Sequence, residues 1–204
     1  GIGMSANPQL LIADEPTSAL DVTVQRVVLD HMAKLTRETG TAVVFITHDL
    51  GLAAERAEKL IVMYKGKIVE SGPSREILQR PQHPYTQRLV SAAPSLASRR
   101  ISAGVSVAAP ASEFDLASLA TQTTQVARAG ETLIEVSNLS KVYKLRKGNF
   151  GHEDFKAVDN ASFTIKRGQT MALVGESGSG KSTIAKMVLQ LEKPSAGKII
   201  IEGR

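Results

Sequence analysis

Two acidic residues, Asp14 and Glu15, stand at the end of the apolar run QLLIAD, in the stretch LLIADEPTSALD. Carboxylates delivered by a buried strand to a sheet edge suit a metal-bound nucleotide. Asp14 would hold Mg2+, usually through water, and Glu15 would polarise an attacking water as general base. Such a pair needs a phosphate-binding loop. The stretch Gly175-Glu176-Ser177-Gly178-Ser179-Gly180-Lys181-Ser182 matches the pattern G-x-x-x-x-G-K-[ST]. Its glycines let backbone N–H groups wrap phosphates, and the helix start that follows adds partial positive charge. Lys181 would neutralise the β- and γ-phosphates, and Ser182 would ligate Mg2+. His48 closes a second apolar run, AVVFIT, where its imidazole would meet a γ-phosphate or the attacking water.

Each signal has a plainer reading. Two adjacent acids more often mark a solvated strand end, and a lone histidine is more often structural. The phosphate loop is the most specific of the three, because an apolar strand pattern (TMALVG) precedes it and a helical pattern (STIAKMVLQL) follows. The order is unusual: the carboxylates come long before the loop they would serve.

The elements that must position these residues follow from periodicity. QLLIAD is a short buried strand. DVTVQRVVLDHMAKLTRETG is helical, with Val24, Val28, Met32 and Leu35 as its apolar face, Asp21 as its cap and Gly40 as its end. AVVFIT is a second buried strand, and a short helix over residues 50–57 leads to LIVMY and KGKIVESG, joined by a tight hairpin. Strands alternating with helices argue for an α/β layer with a parallel sheet. Residues 101–129 hold eight Ala and four Ser with three charged residues, and read as a linker with a weak helix over 115–127. Beyond it, TLIEVSNLSKVYKL and AVDNASFTIKRG pair as antiparallel strands, TMALVG is buried, and GKIIIEG is a final strand.

Composition excludes several classes. Hydrophobic residues make up 42% and charged residues 22%, ordinary for a globular chain, and the few aromatics (4%, no Trp) leave packing to aliphatic side chains. A net charge of +5 comes from 25 basic and 20 acidic residues that are well mixed, so a nucleic-acid face is not expected. With no cysteine there are no disulfides or thiolate metal sites. The apolar runs are of core-strand length, well short of the roughly 20 residues of a spanning helix. No signal peptide is evident, and the chain reads as a piece.

Taken together, LLIADEPTSALD, FITHDL and GESGSGKST resemble the ATP-binding cassette of ABC transporters. The resemblance implies an α/β P-loop NTPase fold, with a parallel-core mixed sheet plus an antiparallel strand pair and without the helical subdomain. It implies ATP and Mg2+ as cofactors and transport-coupled ATP hydrolysis. Asp14 and Glu15 become the Walker B pair, and Ser18, Ala19, Leu20 and Asp21 the dimer-contacting D-loop. His48 becomes the switch histidine, Gly175 to Thr183 the Walker A loop, and Tyr143 the aromatic that stacks on adenine. QRPQHPYTQRLVSAAPSL is similar to the C-terminal extension of peptide and nickel importers, where HPYT recurs. The implied organisation is the middle of a fused tandem protein. Residues 1–100 end one cassette, 101–130 link, and 131–204 begin the next.

The implied partners are integral membrane permease subunits, a second cassette in cis or trans and, indirectly, a substrate-binding protein. The implied location is peripheral, on the cytoplasmic face of the bacterial inner membrane. An LSGGQ signature is lacking in this sequence. Efficient turnover by the chain alone is therefore not expected, and a non-catalytic nucleotide-binding module is the alternative. A repair or translation ABC protein and a GTPase are disfavoured, the first by the mixed charge and HPYT, the second by the want of an NKxD motif. One sharper expectation follows. Residues 1–80 and 131–204 hold complementary strands of one sheet and can pack as a permuted cassette core, with Lys181 and Ser182 facing Asp14, Glu15 and His48.

Overall fold

The computed structural model describes residues 8–16, 21–93, 130–147 and 151–203. The expected helix over 115–127 and Ser18, Ala19 and Leu20 of the expected D-loop lie outside them. In chain order the elements are β1 (Leu10–Asp14), α1 (Val22–Thr39), β2 (Ala42–Thr47), α2 (Leu50–Arg56), β3 (Lys59–Tyr64), β4 (Lys67–Pro73), α3 (Ser74–Gln79) and α4 (Pro84–Ala92). Then follow β5 (Thr132–Lys147), β6 (Gly151–Lys166), β7 (Thr170–Val174), α5 (Lys181–Val188) and β8 (Ala196–Ile201).

Two sheets form. One has the order β1-β2-β7-β3-β4, the other β6-β5-β8. Strand β7, from the second half of the sequence, enters the first sheet between β2 and β3 and runs parallel to both. Its side chains explain why it must sit there. Met171, Ala172, Leu173 and Val174 are all fully buried, so the strand needs an apolar layer on each face, as parallel strands do. Successive residues point to opposite faces. Met171 and Leu173 join Val44, Ile46, Ile61 and Met63 in a core shared with the antiparallel sheet and α5. Ala172 and Val174 join Phe45, Leu60 and Val62 in a second core covered by α1, α2 and α4. The two halves of the chain thus build one sheet, each supplying strands that the other half covers.

Local signals behave as their chemistry dictates. The Asp21 carboxylate accepts from the Thr23 and Val24 amides, both at 3.0 Å, which starts α1. Gly40 ends that helix in the left-handed conformation, its N–H bonded to the Thr36 carbonyl. Lys65 and Gly66, at φ 47° and 80°, form the two-residue hairpin between β3 and β4; positive φ at both central residues matches the twist of the paired strands.

The buried face of α1 differs from the expected one. Val24 and Val28 are 43% and 39% exposed, whereas Leu29 and Thr36 are buried. The helix meets the sheet through Leu29, Met32, Ala33 and Thr36, which face Val43, Phe45 and Thr170 around a small gap. That stripe keeps helical spacing but is rotated from the one the valines suggest. It accommodates Thr36 because the hydroxyl bonds back to the Met32 and Ala33 carbonyls. The antiparallel pair is also longer and wider than expected: β6 begins at Gly151, and β8 joins β5 on its other side.

Candidate functional site

Because β1, β2, β7 and β3 are mutually parallel, their carboxyl ends share one edge of the sheet. Asp14 pairs with Ile46 and Thr47 with Val174. Asp14, Glu15, His48 and Gly175 therefore leave the sheet side by side, at the edge where open α/β sheets form their ligand crevice.

The loop after β7 is held by close backbone approach. A Cβ on Gly175 would stand 2.2 Å from the Met63 carbonyl oxygen and 2.8 Å from Ser179 Oγ, so no side chain fits. At Gly180, the residue that opens α5, φ is 100° and a Cβ would stand 2.4 Å from the Ala157 carbonyl oxygen. From the other side, the hairpin tip pins the loop. Gly66 N–H donates to the Ser179 carbonyl (3.1 Å), and its own carbonyl accepts from the Asp159 amide (2.8 Å). Both halves of the sequence therefore shape the loop.

Lys181 is 6% exposed and folds back over this loop. Its Nζ donates to the carbonyls of Gly175 (2.7 Å) and Glu176 (2.8 Å) and lies 3.4 Å from Ser179 Oγ. Burial pushes its pKa below the ordinary lysine value, while the charges of Glu15, Asp14 and Glu176 pull it back up. That Glu15 and Asp14 act on Lys181 places the ammonium and both carboxylates in one electrostatic field. Ser182, in the first turn of α5, and Glu176, Ser177 and Gly178 are exposed, whereas Ser179 is buried and Thr183 half-buried.

Glu15 sits in the left-handed region at φ 45°, uncommon for a residue with a side chain. Its amide is held by the Ile46 carbonyl (2.9 Å), and its carboxylate meets His48 Nδ1 at 3.2 Å. The pair is open to solvent, at 68% for the His48 side chain and 43% for Glu15, so it orients more than it stabilises. Asp49, next to His48, caps α2 through the Leu52 amide (3.0 Å).

Tyr143 stands apart from this group. It lies on β5 opposite Phe155, with the Lys141 ammonium 5.0 Å from its ring. Phe155 is two residues along β6 from Ala157, whose carbonyl abuts Gly180, so Tyr143 lies on the strand next to the one that reaches the loop.

HPYT is a helix start, as its sequence suggests, and it also reaches into this site, which its sequence does not announce. His83 Nδ1 accepts from the Tyr85 amide (3.1 Å) and caps α4, Pro84 opens the helix, and Thr86 is fully buried. Tyr85 is 2% exposed, stacks on Tyr64 at 4.3 Å, and its hydroxyl accepts from the Glu176 amide at 3.1 Å. A buried tyrosine needs a partner for its hydroxyl, but no local pattern names a partner 91 residues away.

Glu70 ties this extension to β4. Its carboxylate accepts from the amides of Gln82 (2.9 Å) and His83 (3.1 Å). Burial pushes the Glu70 carboxyl up, but the hydrogen bonds from the Gln82 and His83 amides leave it below its ordinary value of 4.5. A carboxylate whose pKa is lowered by folding stabilises the fold above its unfolded value. That contribution is lost as pH falls through the lowered one. Glu70→Gln is accordingly expected to lower the urea midpoint near neutrality and to flatten its decline as pH falls below the ordinary carboxyl value of 4.5. An acid limb parallel to wild type would mean that the carboxylate does not hold α4.

As a set, the edge offers an anion-receptive backbone loop, one buried ammonium, one hydroxyl at a helix start, two carboxylates and an imidazole. Among the described residues no group of three or more His, Asp and Glu side chains could enclose a metal alone, and no helix is long and apolar enough to cross a membrane.

Comparison with known proteins agrees with the motifs. Residues 158–204 match the ABC transporter family, and residues 69–113 match the oligopeptide/dipeptide transporter C-terminal region. Over its whole length the chain is 42% identical to a glutathione import ATP-binding protein of Pectobacterium atrosepticum and 41% identical to that of Escherichia coli strain K12. It spans 33% of the length of each of these relatives.

Proposed function

Carrying as it does an ABC transporter segment and an oligopeptide/dipeptide transporter C-terminal segment, this chain is, we propose, the ATP-binding and ATP-hydrolysing part of an ABC importer for peptides or related small solutes. Asp14, Glu15 and His48, the ends of one cassette, would share a single nucleotide with the phosphate loop of the next. The observation that carries this reading is the insertion of β7 between β2 and β3, with Lys181 in the field of Asp14 and Glu15.

The residues present fit Mg-ATP. The loop keeps side chains off its backbone at Gly175, Gly178 and Gly180, and Lys181 offers the ammonium for the terminal phosphates. Exposed Ser182 and Asp14 can hold Mg2+, directly and through water. Mg2+, when bound, supplies charge that steadies the phosphate oxygens. Glu15, oriented by His48, takes the proton of a water aligned at the sheet edge. Tyr143 is the candidate for stacking on adenine, and Asp21, with Ser18, Ala19 and Leu20, for contact with a second cassette. Integral membrane permeases are the partners of such an ATPase, with a substrate-binding protein reached through them. Its place would be peripheral, at the cytoplasmic face of the membrane.

Titrating a fluorescent ATP analogue into the purified chain tests this. Binding should depend on Mg2+, and Asp14→Asn should weaken it about three- to tenfold with Mg2+ present while leaving metal-free binding unchanged. Equal binding by Asp14→Asn and wild type under both conditions would remove the first half of the chain from the site.

A further inference from the structure

We infer that Tyr85 is a positioning residue for the phosphate loop, a latch by which the HPYT helix fixes the peptide that holds Lys181. The inference rests on the nucleotide-site reading and names a control for that site from outside it.

The geometry is specific to one peptide group. The bond joining Gly175 to Glu176 carries a carbonyl at one end and an N–H at the other. The carbonyl, of Gly175, accepts from Lys181 Nζ at 2.7 Å. The N–H, of Glu176, donates to the Tyr85 hydroxyl at 3.1 Å. Because the peptide is planar, rotating it breaks both bonds together. The Tyr85 hydroxyl therefore sets the direction in which the Gly175 carbonyl offers itself to Lys181. It also sets the course of the chain into the N–H groups that follow.

The latch is itself anchored. Tyr85 is 2% exposed and stacked on Tyr64 at 4.3 Å, with the Arg88 guanidinium 6.0 Å from its ring. Tyr64 follows Met63, whose carbonyl abuts Gly175. The turn leading into α4 is held to β4 by the hydrogen bonds that the Gln82 and His83 amides donate to Glu70. A rigid support of this kind keeps the loop shaped for a phosphate before one arrives, which lowers the ordering cost of binding. Packing alone would need the ring; only the latch needs the hydroxyl.

Tyr85→Phe keeps the ring and removes the hydroxyl. Tyr64→Phe removes a hydroxyl from the same stack without touching the loop, and Lys181→Ala controls for the site. In the nucleotide-free full chain, amide exchange at Glu176 is expected to speed at least about tenfold in Tyr85→Phe and to stay at the wild-type rate in Tyr64→Phe. Affinity for the fluorescent ATP analogue with Mg2+ is expected to fall about three- to tenfold in Tyr85→Phe alone, the size of one net hydrogen bond. Unchanged exchange at Glu176 overturns the latch. Faster exchange with wild-type affinity overturns the positioning role while the site stands. If wild type binds no better than Lys181→Ala, the nucleotide reading fails and the positioning role falls with it.

Discussion

Replacing Lys181 with alanine is expected to cost the chain about ten- to a hundredfold in Mg-ATP affinity, the range of a charge-assisted hydrogen bond lost from a partly dry site. The ammonium already has three protein acceptors within reach, so it is held in the loop before any ligand enters. Its stability effect should run the other way at high pH. Burial lowers the folded pKa of Lys181 below 10.5, so between the two values the unfolded chain holds more protons and stability rises with pH. Lys181→Met, which keeps most of the volume, should flatten that alkaline rise; it will not abolish it, because Lys59 is also lowered by burial. A variant that binds Mg-ATP as well as wild type would show that the loop is not the phosphate site. An unchanged alkaline limb would show that the ammonium is not buried.

Among the described glycines, Gly175→Ala should bring the closest backbone clash. Its Cβ would fall 2.2 Å from the Met63 carbonyl oxygen, and that oxygen is backbone in the middle of the sheet edge. Either β3 or β7 must move, and Val62 and Val174 are paired there. Overpacking of this kind costs about 1–3 kcal/mol and more where backbone must yield. At 2–4 °C per kcal/mol for a chain of this size, a fall of roughly 10 °C in melting temperature is expected. The same shift should turn the Gly175 carbonyl away from Lys181, so affinity should drop by more than the stability loss alone explains. Differential scanning calorimetry beside a binding titration measures both. A melting temperature within about 1 °C of wild type would mean that β7 does not run against β3 as described.

The local content of this chain was legible in its sequence. Apolar runs bounded by turn residues marked β2, β3 and β7, because burial on both faces leaves no alternation to misread. Asp21 and Gly40 announced the ends of α1, since an orphan amide and a left-handed carbonyl turn select those residues almost by themselves. The site residues were visible as residue types too. Asp14, Glu15, His48 and the loop from Gly175 each stand at the end of an apolar run, and the strands end where expected.

Tertiary structure alone decided which of these pieces meet. A run such as TMALVG says that it is buried, not between which neighbours, because parallel ladders are made of backbone groups that every strand carries. The insertion of β7 between β2 and β3 turns two separate motifs into one edge. The exposed valines of α1 have the same cause: periodicity gave an apolar face, but the sheet beneath chose Leu29, Met32 and Thr36 instead. Tyr85 is the clearest case. Its ring is read locally as helix and core, while its hydroxyl does its work on a peptide 91 residues away in sequence, and only folding brings that amide within reach.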